Sequence, residues 1–152
     1  MSASEDIATA TKSVLDGLEL QCGNPPVALA WEKRKRLVLL DGEEPPKGVF
    51  NVGLAIQLQL VSQGRWLNRY PLSIAMAFAA AGKTIDNKLM RHWLDTVWAA
   101  ITDVRNLINA GLDIGNAVRP GQTTTFDAGP LGSAQIDWSV LNFQVETVEQ
   151  RY

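Results

Sequence analysis

The stretch "NVGLAIQLQLVSQGRWLNRYPLSIAMAF", residues 51–78, decides the fold. Alternation of period two runs through it on both sides of the Ser-Gln-Gly connection at 62–64, which predicts a β-hairpin with one buried face. The predicted buried phase holds Val52, Leu54, Ile56, Leu58 and Leu60 in the first arm, and Trp66, Asn68, Tyr70, Leu72, Ile74, Met76 and Phe78 in the second. Gln57, Gln59, Arg65 and Arg69 fall on the opposite face.

The arms of this hairpin are long, roughly ten and fourteen residues against a usual five or six. Pro71 cannot donate to a ladder, so its position is expected at an edge or a bulge. A hairpin longer than one core needs has surplus edge and surplus apolar surface, and a contact repeated around a rotation axis hides both by closing a ring. We therefore expect residues 50–80 to carry much of a subunit interface. Its candidate anchors are Trp66, Arg69 and Tyr70, because aromatic and arginine side chains dominate interface energetics; the alternative for Trp66 is that it closes the core.

The rest of the chain supplies helices and further strands. An amphipathic helix is predicted over 4–18, short strands over 27–31 and 37–40 with turn chemistry from 41 to 48, and a second helix over 86–109. In the closing strand, within 134–150, the apolar phase slips by one residue, as a β-bulge or a strand buried on both faces produces. This order predicts a single α+β domain, residues 1–152, in which an antiparallel sheet with a long β-hairpin packs against two main helices.

Composition narrows the class of protein. With 46% hydrophobic and 20% charged residues, the chain has the composition of an ordinary globular domain, and its net charge of −2 gives no overall footprint for nucleic acid. The longest apolar run, 74–81, is too short to span a membrane, and the first residues lack the basic start and apolar core of a signal peptide. No membrane partner is expected. A single cysteine, Cys22, excludes an internal disulfide and fits a reducing compartment.

The triplet Gly82-Lys83-Thr84 raises the possibility of a nucleotide-binding loop. Such a loop needs a glycine five residues before Gly82, because its backbone N–H groups must wrap the phosphates, and Ala77 stands there. A turn at the glycine, a solvated Lys83 and a helix N-cap at Asp86 explain the same residues. We therefore expect no nucleotide, and no cofactor of another kind.

Other candidates for chemistry are isolated in the sequence. His92 has only Asp95 nearby as a carboxylate partner, Cys22 has no activating neighbours, and nothing specifies a geometry for Asp127 and Asp137. One histidine and one cysteine rule out zinc sites built from those ligands. No catalytic, cofactor-binding or metal-binding residue is expected, and the protein is expected not to be an enzyme.

The densest charge run is Lys33, Arg34, Lys35 and Arg36, followed shortly by Asp41, Glu43 and Glu44. As a nucleic-acid patch the basic run needs aromatic neighbours, and Trp31 is close. A solvated strand face that discourages edge pairing explains it as well. Carboxylates so near favour a charge ladder, within the chain or between subunits, and we expect these seven residues to act between subunits.

Taken together, the chain resembles the tail terminator (tail-completion) proteins of long-tailed bacteriophages. The resemblance is one of layout over nearly the full length, without a signature motif. It rests on the opening helix "SEDIATATKSVLDGL", the turn in "LVLLDGEEPP", the hairpin, the helix "DNKLMRHWLDTVWAAITDVRNLI" and the closing strand "AQIDWSVLNFQVETVEQ".

The resemblance implies a non-enzymatic structural protein of the virion, located at the tail neck after assembly in the host cytoplasm. Its copies close into a hexameric ring that contacts the tail tube protein on one face and a head-completion or connector protein on the other, and DNA passing through the lumen is possible. The basic run and the five tryptophans depart from that pattern and leave open another neck or head-closure protein. A monomeric α+β enzyme or ligand-binding domain, which needs a deep polar pocket, is the remaining alternative.

Overall fold

The computed structural model describes residues 3–22, 27–37, 47–80, 87–109, 118–120 and 136–150. Three helices lie in these segments: α1 (Ala3–Gly17), α2 (Asn87–Thr102) and α3 (Val104–Asn109). The strands are β1 (Gln21–Cys22), β2 (Val27–Ala28), β3 (Ala30–Lys33), β4 (Lys47–Val52), β5 (Ile56–Ser62), β6 (Arg65–Ala80), β7 (Val118–Pro120) and β8 (Ile136–Gln150). The opening helix, the hairpin and the closing strand are confirmed.

The architecture is α+β, built on a mostly antiparallel sheet. The strand order is β3-β4-β6-β8-β7, with β5 pairing to β6, while β1 and β2 form a separate small ladder. The long strands β6 and β8 pair from Arg65↔Gln150 to Ala80↔Ile136 and form the spine of the sheet. One pair departs from the antiparallel expectation, because β3 and β4 run parallel. Parallel neighbours need a long crossover, and residues 34–46, for which the sequence predicted a short strand at 37–40 and turn chemistry from 41, make this connection.

The hairpin is present, but its first arm is two strands. β4 pairs with the distal half of β6 and β5 with the proximal half, joined to it through Gln63 and Gly64, whose φ is 72°. Residues 53–55, between β4 and β5, lie opposite Pro71. The carbonyl of Pro71 accepts a hydrogen bond from the Gly53 N–H at 2.8 Å. In an antiparallel pair the N–H and C=O of one residue point to the same side, so the nitrogen of Pro71, which has no hydrogen to donate, also faces residues 53–55, and the ladder is interrupted there. A side chain at Gly53 would meet the Pro71 ring at 2.5 Å, which fixes glycine at the bend.

The predicted buried face of the first arm is wrong for β5. Its seven residues are all exposed, including Ile56, Leu58 and Leu60. Register shifts occur between Gln57 and Gln59 and between Leu60 and Ser62, so the sequence alternation does not keep its apolar residues on one face.

The main core lies between the helices and one face of the sheet, which we call the helix face. α1 contributes Ile7 and Leu15, and α2 contributes Trp93, Val97 and Ile101; the sheet contributes Phe50, Leu72, Ile74, Met76, Leu141, Phe143 and Val145. The opposite sheet face, the far face, carries a small cluster of Val49, Ala75 and Ala77 that packs against Leu37 and Val140. β8 is therefore apolar on both faces, which accounts for its phase slip, and the register shift lies in β6, between Ala77 and Ala79.

The predicted helix over 86–109 divides at Asp103. The Asp103 carboxylate accepts the Arg105 backbone N–H at 3.1 Å and the Arg105 guanidinium at 2.9 and 3.0 Å. The first N–H groups of a helix have no partner within the helix, and an aspartate at the N-cap position accepts from them in this way. Asp103 therefore caps the start of α3 instead of continuing α2. None of the helices in the described ranges has the length and apolarity that a bilayer crossing needs.

Candidate functional site

Among the described residues, the large apolar side chains that are exposed lie along β5 and just before it. Leu54 is 91% exposed, Ile56 59%, Leu58 39%, Leu60 54% and Val61 49%. Apolar residues on the surface of a soluble monomer are normally scattered singly, so a cluster of five large ones marks a candidate interaction site. We call residues 54–61 the apolar edge.

The apolar edge is exposed on both of its faces. Leu60 pairs with Trp66 and so lies on the helix face of the sheet, whereas Ile56 pairs with Arg69 and lies on the far face. Along its outer side, β5 pairs with no other strand among the described residues. Its backbone N–H and C=O groups are therefore available to a strand from another molecule, and apolar side chains flank them above and below.

A polar cluster on the helix face supports the base of this hairpin. One carboxylate oxygen of Glu149, Oε2, accepts hydrogen bonds from Tyr70 Oη at 2.7 Å and Thr147 Oγ1 at 2.9 Å, and also from Asn68 Nδ2. Asn68 and Thr147 are fully buried. The hydrogen bonds from Asn68 and Tyr70 cross from β6 to β8, so the cluster helps to hold this part of the two strands in register.

The far face of the same region carries an ion pair. Arg69 Nη2 lies 2.8 Å from Glu146 Oε1, and the side chains are 31% and 8% exposed. Because Arg69 and Glu146 are directly opposite each other on β6 and β8, the pair adds to the cross-strand register. The hairpin end is thus stiffened on both faces while β5 stays uncovered.

The three predicted anchors on β6 differ in availability. Tyr70 is 6% exposed and belongs to the main core. Arg69 is half-buried in its pair with Glu146, and Trp66 is half-buried on the helix face beside Leu60. Trp66 and Arg69 are accessible to a partner, whereas Tyr70 is too buried to contact one directly and can only support the strand that carries the other two. Their role as interface anchors stays a prediction.

The basic run is not one uniform patch. Lys33 ends β3, and Arg34, Lys35 and Arg36 follow in a bend. Glu32, which the sequence analysis did not select, accepts from Arg34 at 2.7 Å and lies 3.3 Å from Lys47 Nζ, and these hydrogen bonds hold the pKa of Glu32 below its usual range. The predicted acidic partners Asp41, Glu43 and Glu44 lie outside the described residues, so their pairing stays a prediction.

The aromatic neighbour of the basic run is unavailable for base stacking. Trp31 is 5% exposed, and its ring covers Gly48 so closely that a Cβ there would come within 2.3 Å of it. Single-stranded nucleic acid is held by exposed aromatic faces next to basic residues, so the run lacks that feature at Trp31.

Other chemistry-bearing residues are dispersed. His92 and Asp95 are exposed on α2, and no group of three metal-ligating side chains forms within the described segments. Lys83, Thr84 and Asp127 lie outside the described residues, as does the side chain of Asp137. A depression of about 300 Å³ lies where α1 meets β3 and β4, lined by Glu5, Ala8, Thr9, Lys12, Lys33 and Phe50.

The sequence analysis expected an interface within residues 50–80, but it assigned Leu54, Ile56, Leu58 and Leu60 to the buried face and so did not select them as surface residues. One signal for it was present in the unusual length of the arms. Comparison with protein-family models and with curated proteins finds no match for the chain.

Proposed function

We propose that this chain is a structural subunit of a long-tailed bacteriophage, a tail terminator whose copies close into a hexameric ring at the head-proximal end of the tail tube. The ring stops tube growth and joins the tail to the head connector. The observation that carries the proposal is the apolar edge, which has apolar side chains on both faces and whose outer side pairs with no other strand among the described residues.

Three further features support this proposal. The α+β architecture, with its long hairpin and closing strand, agrees with the layout that the resemblance implies. Glu149 and the Arg69–Glu146 pair tie β6 to β8, so the strand on which β5 is built is held in place, which limits the order that binding has to impose. A soluble subunit that exposes such an edge needs a partner, and head-to-tail contacts around an axis cover every copy of it.

Imaging tests the proposal directly. In particles that carry a tagged copy of the chain, cryo-electron microscopy should place a ring of this fold between the tube and the connector. Particles assembled without the chain should contain tails of irregular length that are not joined to heads. Density for the chain on the head side of the connector would assign it to head closure, and tails of normal length without it would refute the terminator role.

A further inference from the structure

The outer side of β5 pairs with no other strand among the described residues, and the sequence of β5 indicates what fits there. We propose that two free subunits pair antiparallel through their β5 strands, about a two-fold axis at Gln59. The occupant of each apolar edge is the β5 of a second copy of this chain. The contact belongs to the free subunit, so it goes beyond the proposed function and does not depend on the position of the chain in a particle.

The residue types of β5 are arranged as a self-pairing strand requires. In a two-fold contact the residue at the axis meets its own copy, and residues equally far from the axis on its two sides meet each other. Leucine flanks Gln59 on both sides, so Leu58 of one copy lies opposite Leu60 of the other. The two Gln59 amides meet at the axis, where each both donates and accepts a hydrogen bond, so identical side chains satisfy one another.

The faces of the sheet select this register. Residues directly opposite each other in an antiparallel pair lie on the same face. Ile56 lies on the far face, and Ser62 does too, because its partner on β6 stands four residues before the partner of Ile56 in an unshifted part of that strand. An axis at Gln59 places Ile56 opposite Ser62. An axis at Leu58 instead places Ile56 opposite Leu60, which lies on the helix face, so that register is excluded.

Charge favours a second β5 over a charged strand. β5 has no charged residue, so two copies bring no like charges together. β3 also has an outer edge without a strand partner in the described segments, but it carries Glu32 and Lys33. Pairing β3 against β5 would take charges out of water and set them beside glutamine and aliphatic side chains, without an opposite charge in return. An uncharged edge is matched by an uncharged edge.

The contact is small, and its size determines its role. Each copy contributes residues 54–62, fewer than half of the roughly 20–30 residues that one side of a stable interface contributes. The pair therefore forms only as concentration rises, and a larger interface displaces it. A two-fold pair closes at two subunits, so it hides both apolar edges without starting a fibre. Any assembly that uses the same edge requires the pair to separate first.

Disulfide formation tests the register, in full chains that carry Cys22→Ser. Opposite residues of antiparallel strands have Cα atoms about 4.5–5.5 Å apart, within the roughly 4.4–6.8 Å that a disulfide bridges. In a buffer of oxidised and reduced glutathione, Gln59→Cys chains should form linked dimers at least tenfold faster than Ile56→Cys chains. The two Ile56→Cys positions lie about 20 Å apart, at about 3.3 Å per residue along the strand. Mixing Ile56→Cys with Ser62→Cys chains should restore the fast rate.

A charge at the axis tests the contact without a crosslink. Gln59→Lys sets two ammonium groups side by side, and like charges directly opposite each other are destabilising. Because Gln59 is exposed, the variant should keep the wild-type circular dichroism melt. Analytical ultracentrifugation should show that it loses the dimer that the wild-type chain forms as concentration rises. Gln21→Lys makes the same substitution at an exposed position of β1 and should dimerise like the wild type.

Three results would overturn the inference. Gln59→Cys chains that crosslink no faster than Ile56→Cys chains contradict the register. A wild-type chain that stays monomeric up to its solubility limit contradicts the contact itself, as does a Gln59→Lys variant that dimerises like Gln21→Lys. Each of these results leaves the position of the chain in the particle to be decided by imaging, so this contact and the terminator role fail separately.

Discussion

Truncating Leu54 to alanine should weaken association and leave the subunit itself intact. Leu54 is 91% exposed, so its removal takes almost no packing from the isolated chain, and the free energy of unfolding should change by less than about 0.5 kcal/mol. If the partner buries this side chain, the truncation removes about 2 kcal/mol of apolar burial at roughly 0.8 kcal/mol per CH₂. At about 1.4 kcal/mol per tenfold change, each contact then loses affinity by about 30-fold.

The assay is mass photometry over a concentration series, with a thermal melt followed by circular dichroism on the same samples. Leu72→Ala is the matched control, because Leu72 lies on β6 and is fully buried. That variant should lose about 2–5 kcal/mol of stability, a fall in Tm of roughly 4–20 °C at about 2–4 °C per kcal/mol. The reasoning is refuted if Leu54→Ala lowers Tm like Leu72→Ala, or if it leaves the concentration dependence of assembly unchanged.

Three further predictions concern the framework that presents the edge. Gly48→Ala should lower stability by about 1–3 kcal/mol, because the new methyl group overlaps the buried Trp31 ring, and a urea titration followed by tryptophan fluorescence measures it. Tyr70→Phe should lower stability by about 1.5–3 kcal/mol, since it removes a hydrogen bond to the Glu149 carboxylate, and the same titration reports it. The pKa of Asp103 is lowered by hydrogen bonds from the neighbouring arginine, so its stabilising effect is present above the ordinary aspartate pKa and is lost as pH falls through the lowered value. Asp103→Asn should therefore flatten the acid side of a plot of Tm against pH.

Each of these predictions has an outcome that contradicts it. Gly17→Ala is the control for Gly48→Ala, since nothing lies within 4 Å of a Cβ at Gly17; it should be neutral or stabilising, and equal effects at both sites would contradict the packing of Trp31 on Gly48. If Tyr70→Phe unfolds at the same urea concentration as the wild-type protein, the hydrogen bond from Tyr70 to Glu149 does not contribute to stability. An unchanged acid limb in Asp103→Asn would show that this carboxylate does not stabilise the start of α3.

Much of the fold was predictable because period and chemistry agreed. The stripe of α1 and the long strands β6 and β8 follow from apolar spacing. Pro71 was expected at an edge or a bulge, and the first arm of the hairpin is interrupted opposite it, between β4 and β5. The break at Asp103 was not predicted, since the apolar stripe continues across it and one side-chain cap decides where the helix ends.

The apolar edge lies within residues 50–80, where the sequence analysis expected an interface, but most of its residues were not the ones selected as anchors. Alternation tells which residues share a face only while the ladder is continuous, and two register shifts in β5 remove that condition. Trp66, Arg69 and Tyr70 were selected by residue type, yet burial separates them, because Tyr70 turns into the core to reach Glu149. The parallel pairing of β3 with β4 is a long-range choice that no local pattern records.

Within the described segments, β3 and β5 each have an outer edge that pairs with no other strand, and the sequence equips these two edges differently. Two of the three exposed positions on β3 are charged, Glu32 and Lys33, and charge on an edge discourages pairing with other chains. β5 has no charged residue; it offers glutamine and aliphatic side chains, all of them exposed. Its two register shifts twist the strand away from a flat template, so indiscriminate pairing is disfavoured and a partner has to match the bulged shape. An edge left uncharged, backed by the β6–β8 ladder and shaped by bulges has the features of a surface selected for one partner, and this is why we propose β5 as an assembly surface. A role between subunits for the basic run that follows β3 stays a prediction.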